Sequence, residues 1–212
     1  MDRGGGRQAK SLRTRRGGGV WHRALMAAAN PTVRLRVFTG TSAIVAGLAW
    51  VAKDIGSRVP SDSDYWDCGS SSGYLLNGID TVAFLALGLA LFGLYKIFRS
   101  TMGKTRAVIG LVSAAGFGVA GLANLLEHCA ALDVLGFAYV IGLLLGMLLL
   151  VAFGVFLRRV GLPSWCTWFL VLGTVLGILF NEQGGVIAFG SSLFALGLVL
   201  IRQSTPLPSS SA

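Results

Sequence analysis

Residues 107–129 read "AVIGLVSAAGFGVAGLANLLEHC". The twenty from Ala107 to Leu126 carry no charge, and the run closes on Asn124, Glu127, His128 and Cys129. At 1.5 Å per residue, roughly 20 apolar residues make a helix as long as the hydrocarbon core of a bilayer is thick. This stretch therefore reads as a membrane crossing whose end carries a carboxylate, an imidazole and a thiol. Either the helix meets water there, or these groups form a site.

The rest of the chain repeats the pattern. Of 212 residues, 54% are hydrophobic and 13% charged, and the mean hydropathy is +0.71. A soluble domain carries about 25% charged residues, so the solvent implied here is largely lipid. Continuous apolar runs, rather than alternating ones, exclude a membrane β-barrel. Six runs are predicted as helices, at about 37–54, 76–97, 107–127, 134–157, 164–181 and 185–202. The expected fold is all-α: a six-helix transmembrane bundle over 37–202, arranged as three related hairpins or as six unrelated helices. The words "VAGLA" (45–49 and 119–123) and "ALGL" (86–89 and 195–198) are what hairpins would leave, and also what chance leaves in Gly/Ala/Leu-rich helices. Residues 1–36 read as a basic disordered arm with a short interfacial helix near 21–29, and 203–212 as a polar tail.

Charge sets the orientation. With the N-terminus inside, 16 of the 18 Lys and Arg residues fall on the cytoplasmic side, leaving only Lys53 and Arg58 outside. Eight of the nine acids fall outside, all but Asp2. This is the distribution of a six-span protein with both termini cytoplasmic. Nine basic residues lie between Arg3 and Arg36, so the net charge of +9 belongs largely to the arm. The arm is expected to touch anionic lipid, and no nucleic acid is expected. The first run has no A-x-A cleavage site and is followed at once by Lys53-Asp54, as in an uncleaved signal anchor. An acid-poor, Arg-rich leader leaves an organellar transit peptide as the alternative.

Three groups of residues could carry function. Small residues spaced by three or four, Ala138, Gly142 and Gly146 in one helix and Gly173 and Gly177 in another, mark faces where helices approach closely. Open to the outside, such stripes would receive partner subunits or a second copy. The acids and amides at the outer helix ends form the second group: Asp80, Asn124, Glu127, His128, Asn181 and Glu182. An intramembrane acid is a site by default, and aspartate is too short to snorkel easily, so Asp80 and Glu127 lead a candidate cation or proton site. Interfacial residues left at helix ends by topology are the bland alternative. The third group is Cys68 and Cys129, both placed outside, where an oxidising exterior permits a disulfide.

Catalysis has no nominee. There is no C-x-x-C, no P-loop, no H-E-x-x-H and no G-x-S-x-G. His22 and His128, the only histidines, fall on opposite sides, which removes bis-histidine haem ligation and multi-histidine zinc. No cofactor is implied. "LALGLALFGLY" (85–95) and "LRRVGLPSWCTWFLVLG" (157–173) resemble passages of small six-helix bacterial inner-membrane proteins. That resemblance implies a multi-pass bacterial inner-membrane protein and assigns no activity. Two functions remain open: an accessory or structural subunit of a membrane complex, and a small transporter or channel-like protein with an outward-facing acidic site.

Overall fold

The computed structural model describes residues 30–58, 71–130 and 135–204 of the chain. They form six α-helices and no strand: α1 (Pro31–Ser57), α2 (Ser71–Met102), α3 (Lys104–Ala130), α4 (Gly136–Leu157), α5 (Ser164–Leu179) and α6 (Gly185–Arg202). A 3-10 turn, Asn181–Gln183, joins the last two. The predicted interfacial helix at 21–29 and the tail beyond Ser204 lie outside the described residues, as do Cys68 and Asp133.

Local chemistry fixes the helix ends. Asn30-Pro31, predicted as the end of the preceding segment, is the start of α1. The Asn30 side chain accepts a hydrogen bond from the Thr32 N–H at 2.9 Å, and Pro31 occupies the first turn, where its missing N–H costs nothing. The helix thus begins six residues before the apolar run and carries Arg34 and Arg36 in its first turns. Gly103 alone separates α2 from α3, at φ +78°, a left-handed conformation that glycine adopts without steric penalty.

The helices stand in a ring. Each packs against its neighbours in the chain, and α6 returns to close against α1. Backbone contact at glycines makes several of these seams. A Cβ on Gly40 would lie 2.8 Å from the Gly197 carbonyl oxygen, and one on Gly190 would lie 2.6 Å from that of Gly47. These pairs hold α1 and α6 antiparallel along two turns. Gly116 and Gly142 stand in the same relation across α3 and α4, at 2.8 and 2.7 Å. Gly173 approaches Ser192, and Gly177 approaches Phe189, both on α6. The small-residue stripes are therefore filled by the chain's own helices. Gly142, Gly146, Gly173 and Gly177 are buried there.

Aromatic rings from five helices fill the axis. Trp50 of α1 meets Phe84 of α2 edge-on at 4.9 Å and Phe189 of α6 at 5.7 Å. Phe84 in turn meets Phe117 of α3 at 6.3 Å and Tyr139 of α4 at 5.6 Å. The outside is the reverse of a soluble protein. Phe38, Leu75, Leu122, Leu148, Leu172 and Leu198, one from each helix, are exposed together with many apolar neighbours. Such a surface belongs against lipid or against other membrane-embedded protein. Five helices are long and apolar enough to cross a membrane, and α5, with 16 residues, is shorter. The chain is a multi-pass integral membrane protein.

Charge separates along the ring. Arg34, Arg36, Lys96, Arg99, Lys104, Arg106, Arg158, Arg159 and Arg202 lie towards one end, where Arg36 Nη1 donates to the Gln203 carbonyl at 3.3 Å. Asp54, Asp80, Glu127 and Glu182 lie towards the other, with Lys53 and Arg58. The seam between α4 and α5 is the loosest in the ring, and it leaves an opening in the acidic half.

Candidate functional site

The polar residues of the acidic half are distributed among three local arrangements. Asp80, on α2, is 1% exposed. Its carboxylate is 2.9 Å from the Lys53 ammonium of α1. Lys53 is held there because α1 and α2 run antiparallel with Trp50 against Phe84, which sets Lys53 level with Asp80. The ammonium also lies 5.1 Å from the centroid of the Trp50 ring, a cation–π contact strengthened by desolvation. Its side chain keeps 18% of its surface exposed, so one end of the ion pair is reachable and the other is sealed.

One turn from Asp80, Asn124 of α3 reaches across to α2. Its amide nitrogen donates to the Asn77 carbonyl at 3.1 Å and to Thr81 Oγ1 at 2.9 Å. Asn77, 2% exposed, has neither side-chain nitrogen nor side-chain oxygen in a hydrogen bond among the described residues. The Trp50 indole N–H is likewise buried without an acceptor among the described residues. An unmet buried polar group costs about 1–3 kcal/mol. Two such groups flanking one ion pair mark a polar centre that packing alone does not account for.

The other acids are engaged elsewhere. Asp54 accepts from Nε and Nη2 of Arg58, at 2.9 and 3.3 Å, in a bidentate pair at the end of α1. Glu127 faces the start of α4: a Cβ on Gly136 would lie 2.9 Å from Glu127 Oε1. A carboxylate there meets the positive end of the helix dipole. The sequence groups Asp80, Asn124, Glu127, His128, Asn181 and Glu182 as one candidate cation site. The structure brings Asp80 and Asn124 to neighbouring turns of α2 and sets Glu127 against α4. The side chains of His128, Cys129 and Glu182 lie outside the described residues, and with Cys129 and Cys68 the expected disulfide. Among the described residues, no three of His, Cys, Asp and Glu gather closely enough to hold a metal ion. Cys166 is free and buried.

Beside the ion pair lies a cavity of about 230 Å³. Lys53 and Trp50 border its inner wall, Tyr139, Leu144 and Met147 come from α4, and Ile178 and Asn181 from the α5 side. Leu144 and Ile178 are exposed on the lipid-facing surface, so the cavity is reached from the bilayer through the loose seam. Lys53 was the residue that sequence reasoning passed over. Its signal was present: a sealed intramembrane aspartate needs a counter-charge, and only Lys53 and Arg58 were available on that side.

No family model, curated protein or solved structure matches the chain.

Proposed function

We propose that this chain is a six-span protein of a bacterial inner membrane, with both termini cytoplasmic, that handles a solute at the Lys53–Asp80 centre without catalysing a reaction. The separation of nine basic residues at one end from all described acids at the other supports the orientation, since cytoplasmic ends are enriched in Lys and Arg. α5 supports the sixth crossing by its lipid-like exterior at Trp165, Leu172 and Leu179. The resemblance carried by residues 85–95 and 157–173 supports the bacterial inner membrane. The basic end, with the arm beyond it, holds anionic lipid headgroups at about 1 kcal/mol per residue near the surface.

The observation that carries the solute-handling reading is the ion pair, sealed at Asp80 and reachable at Lys53, beside two polar groups unmet among the described residues, Asn77 and Trp50. Replacing a buried ion pair by apolar residues of similar volume is often neutral or stabilising. A chain that keeps one inside a membrane, at some cost in stability, uses it. One of the supports of the accessory-subunit reading, open small-residue faces, is weakened, since the glycines of those faces are buried within the ring. The aromatic plug on the axis favours a carrier-like or binding role over an open channel.

The test is complementation. A deletion strain is profiled for growth across pH, cations and membrane-active compounds, then supplied with wild type, Asp80→Asn, or the double variant Lys53→Met/Asp80→Leu. Solute handling requires that both variants reach the membrane in normal amount and fail to restore growth. Full restoration by the double variant refutes the reading and returns the chain to a structural role.

A further inference from the structure

We infer that the cavity at the α4–α5 seam binds the head and first chain segment of a single-chain anionic amphiphile, drawn sideways from the bilayer. This names the solute class for the centre described above and rests on that reading.

Four features of the cavity select the ligand. Its polar lining residues carry hydrogen-bond donors, the Lys53 ammonium and the Asn181 amide, and among the described residues no carboxylate lines it. Lys53 has three N–H bonds, of which Asp80 engages one side, leaving donors for an acceptor in the cavity. The indole N–H has no acceptor of its own among the described residues. That nitrogen is itself sealed from the cavity, so an anionic head placed there would add a second partner to the ammonium and accept from the Asn181 amide. Asp80 lies behind the lysine, outside the lining, and fixes the ammonium in place.

Size and access decide the remainder. Pockets that enclose a drug-sized ligand run to about 300–1,000 Å³. At about 230 Å³ the cavity is too small for a whole lipid and large enough for a head with the first part of one chain. The wall beyond the polar groups is apolar, from Leu143 to Met147 and Leu148, and its outer members Leu144 and Leu148 are exposed where lipid lies. The remainder of the chain therefore stays in the bilayer, running out between α4 and α5. Diacyl lipids are disfavoured, because a cavity of about 230 Å³ has room for the first part of one chain beside the head and not of two.

The probe is palmitate carrying a photoreactive diazirine on its chain, added to the full-length protein in vesicles of zwitterionic lipid. After illumination, peptide mapping locates the adducts. The expected result is saturable labelling on α4 and α5 near Leu144, Leu148 and Ile178. Unlabelled palmitate or dodecyl phosphate should reduce it at least fivefold, and the more effective of the two identifies the head as carboxylate or phosphate. Zwitterionic lysophosphatidylcholine should not compete. Lys53→Met should lose most of the saturable labelling. Leu144→Trp, which fills the mouth from an exposed position and leaves the ion pair intact, should lose it without loss of folding. Labelling spread evenly over all six helices, equal competition by lysophosphatidylcholine, or full labelling of Leu144→Trp each overturns the inference. The two claims fail separately. Failed labelling with Asp80→Asn still inactive in the deletion strain leaves solute handling standing with another solute. Saturable labelling with a fully active double variant leaves a lipid site without that function.

Discussion

Removing Lys53 should damage the protein more than removing the charge of Asp80. Lys53→Met leaves a carboxylate that is 1% exposed without the cation now 2.9 Å away. Breaking a buried pair from one side costs about 3–5 kcal/mol, because the remaining charge is uncompensated. The lost contact with the Trp50 ring adds to this, in the range of about 0.5–2 kcal/mol. Asp80→Asn leaves the lysine instead, which is 18% exposed and can extend towards the cavity mouth. Its cost should sit nearer the 1–3 kcal/mol of an unmet polar group. For a chain of this size, 1 kcal/mol moves Tm by roughly 2–4 °C. A loss of 3–5 kcal/mol then corresponds to a fall of roughly 6–20 °C for Lys53→Met, with a smaller fall for Asp80→Asn. The double variant Lys53→Met/Asp80→Leu should recover most of the loss, since both charges leave together. The assay is thermal unfolding in one mild detergent at one scan rate, followed by tryptophan fluorescence. If Asp80→Asn proves as harmful as Lys53→Met, or the double variant falls by the sum of the singles, the pair does not hold Asp80 in the way described.

Three further outcomes follow from the geometry. Gly190→Ala drives a Cβ to 2.6 Å from the Gly47 carbonyl and should cost about 1–3 kcal/mol by overpacking, whereas Gly118→Ala meets nothing within 4 Å and should be neutral or stabilising, both read as Tm. Asn77→Leu removes two unmet buried polar atoms and should raise Tm by a few degrees, while a fall would mean that the amide has a partner the structure does not show. In a cysteine-free background, Gln183→Cys should react with an impermeant maleimide added outside intact cells, and Thr101→Cys only after the cells are opened, because both residues are exposed at opposite ends of the ring.

The helices were legible in the sequence because lipid imposes a simple rule: uncharged runs near 20 residues, bounded by charge. The run from Ala107 to Leu126 lies within α3, and the segment 185–202 matches α6 residue for residue. The start of α1 was harder, since Asn30-Pro31 can end one helix and cap the next, and the bond from Thr32 shows the second role, while the segment before it lies outside the described residues. The site was less legible. Sequence spacing places Asn124, Glu127 and His128 on one side of a single helix, and that geometry is indifferent to what stands opposite. Closing the ring turns Asn124 towards α2 and Glu127 towards α4, so residues three apart serve different neighbours. Asp80 was marked by its depth, but its partner could be found only by aligning α1 against α2. The glycine faces were visible as faces, and which helix fills each one depends on the whole ring.

The shortness of α5 has a mechanical consequence. At 1.5 Å per residue its 16 residues span about 24 Å, roughly 6 Å less than an average hydrocarbon core. A bilayer meeting this helix thins beside it, at a cost of fractions of a kcal/mol per Å. The strain falls on the one flank where the ring is loosest and where the cavity opens. In a thinner membrane that strain relaxes, and in a thicker one it grows to a few kcal/mol, comparable to the energies that hold a seam together. With α5 as the sixth crossing proposed above, the width of this opening is expected to follow the thickness of the membrane around it, and lipid chain length is the variable that tests it.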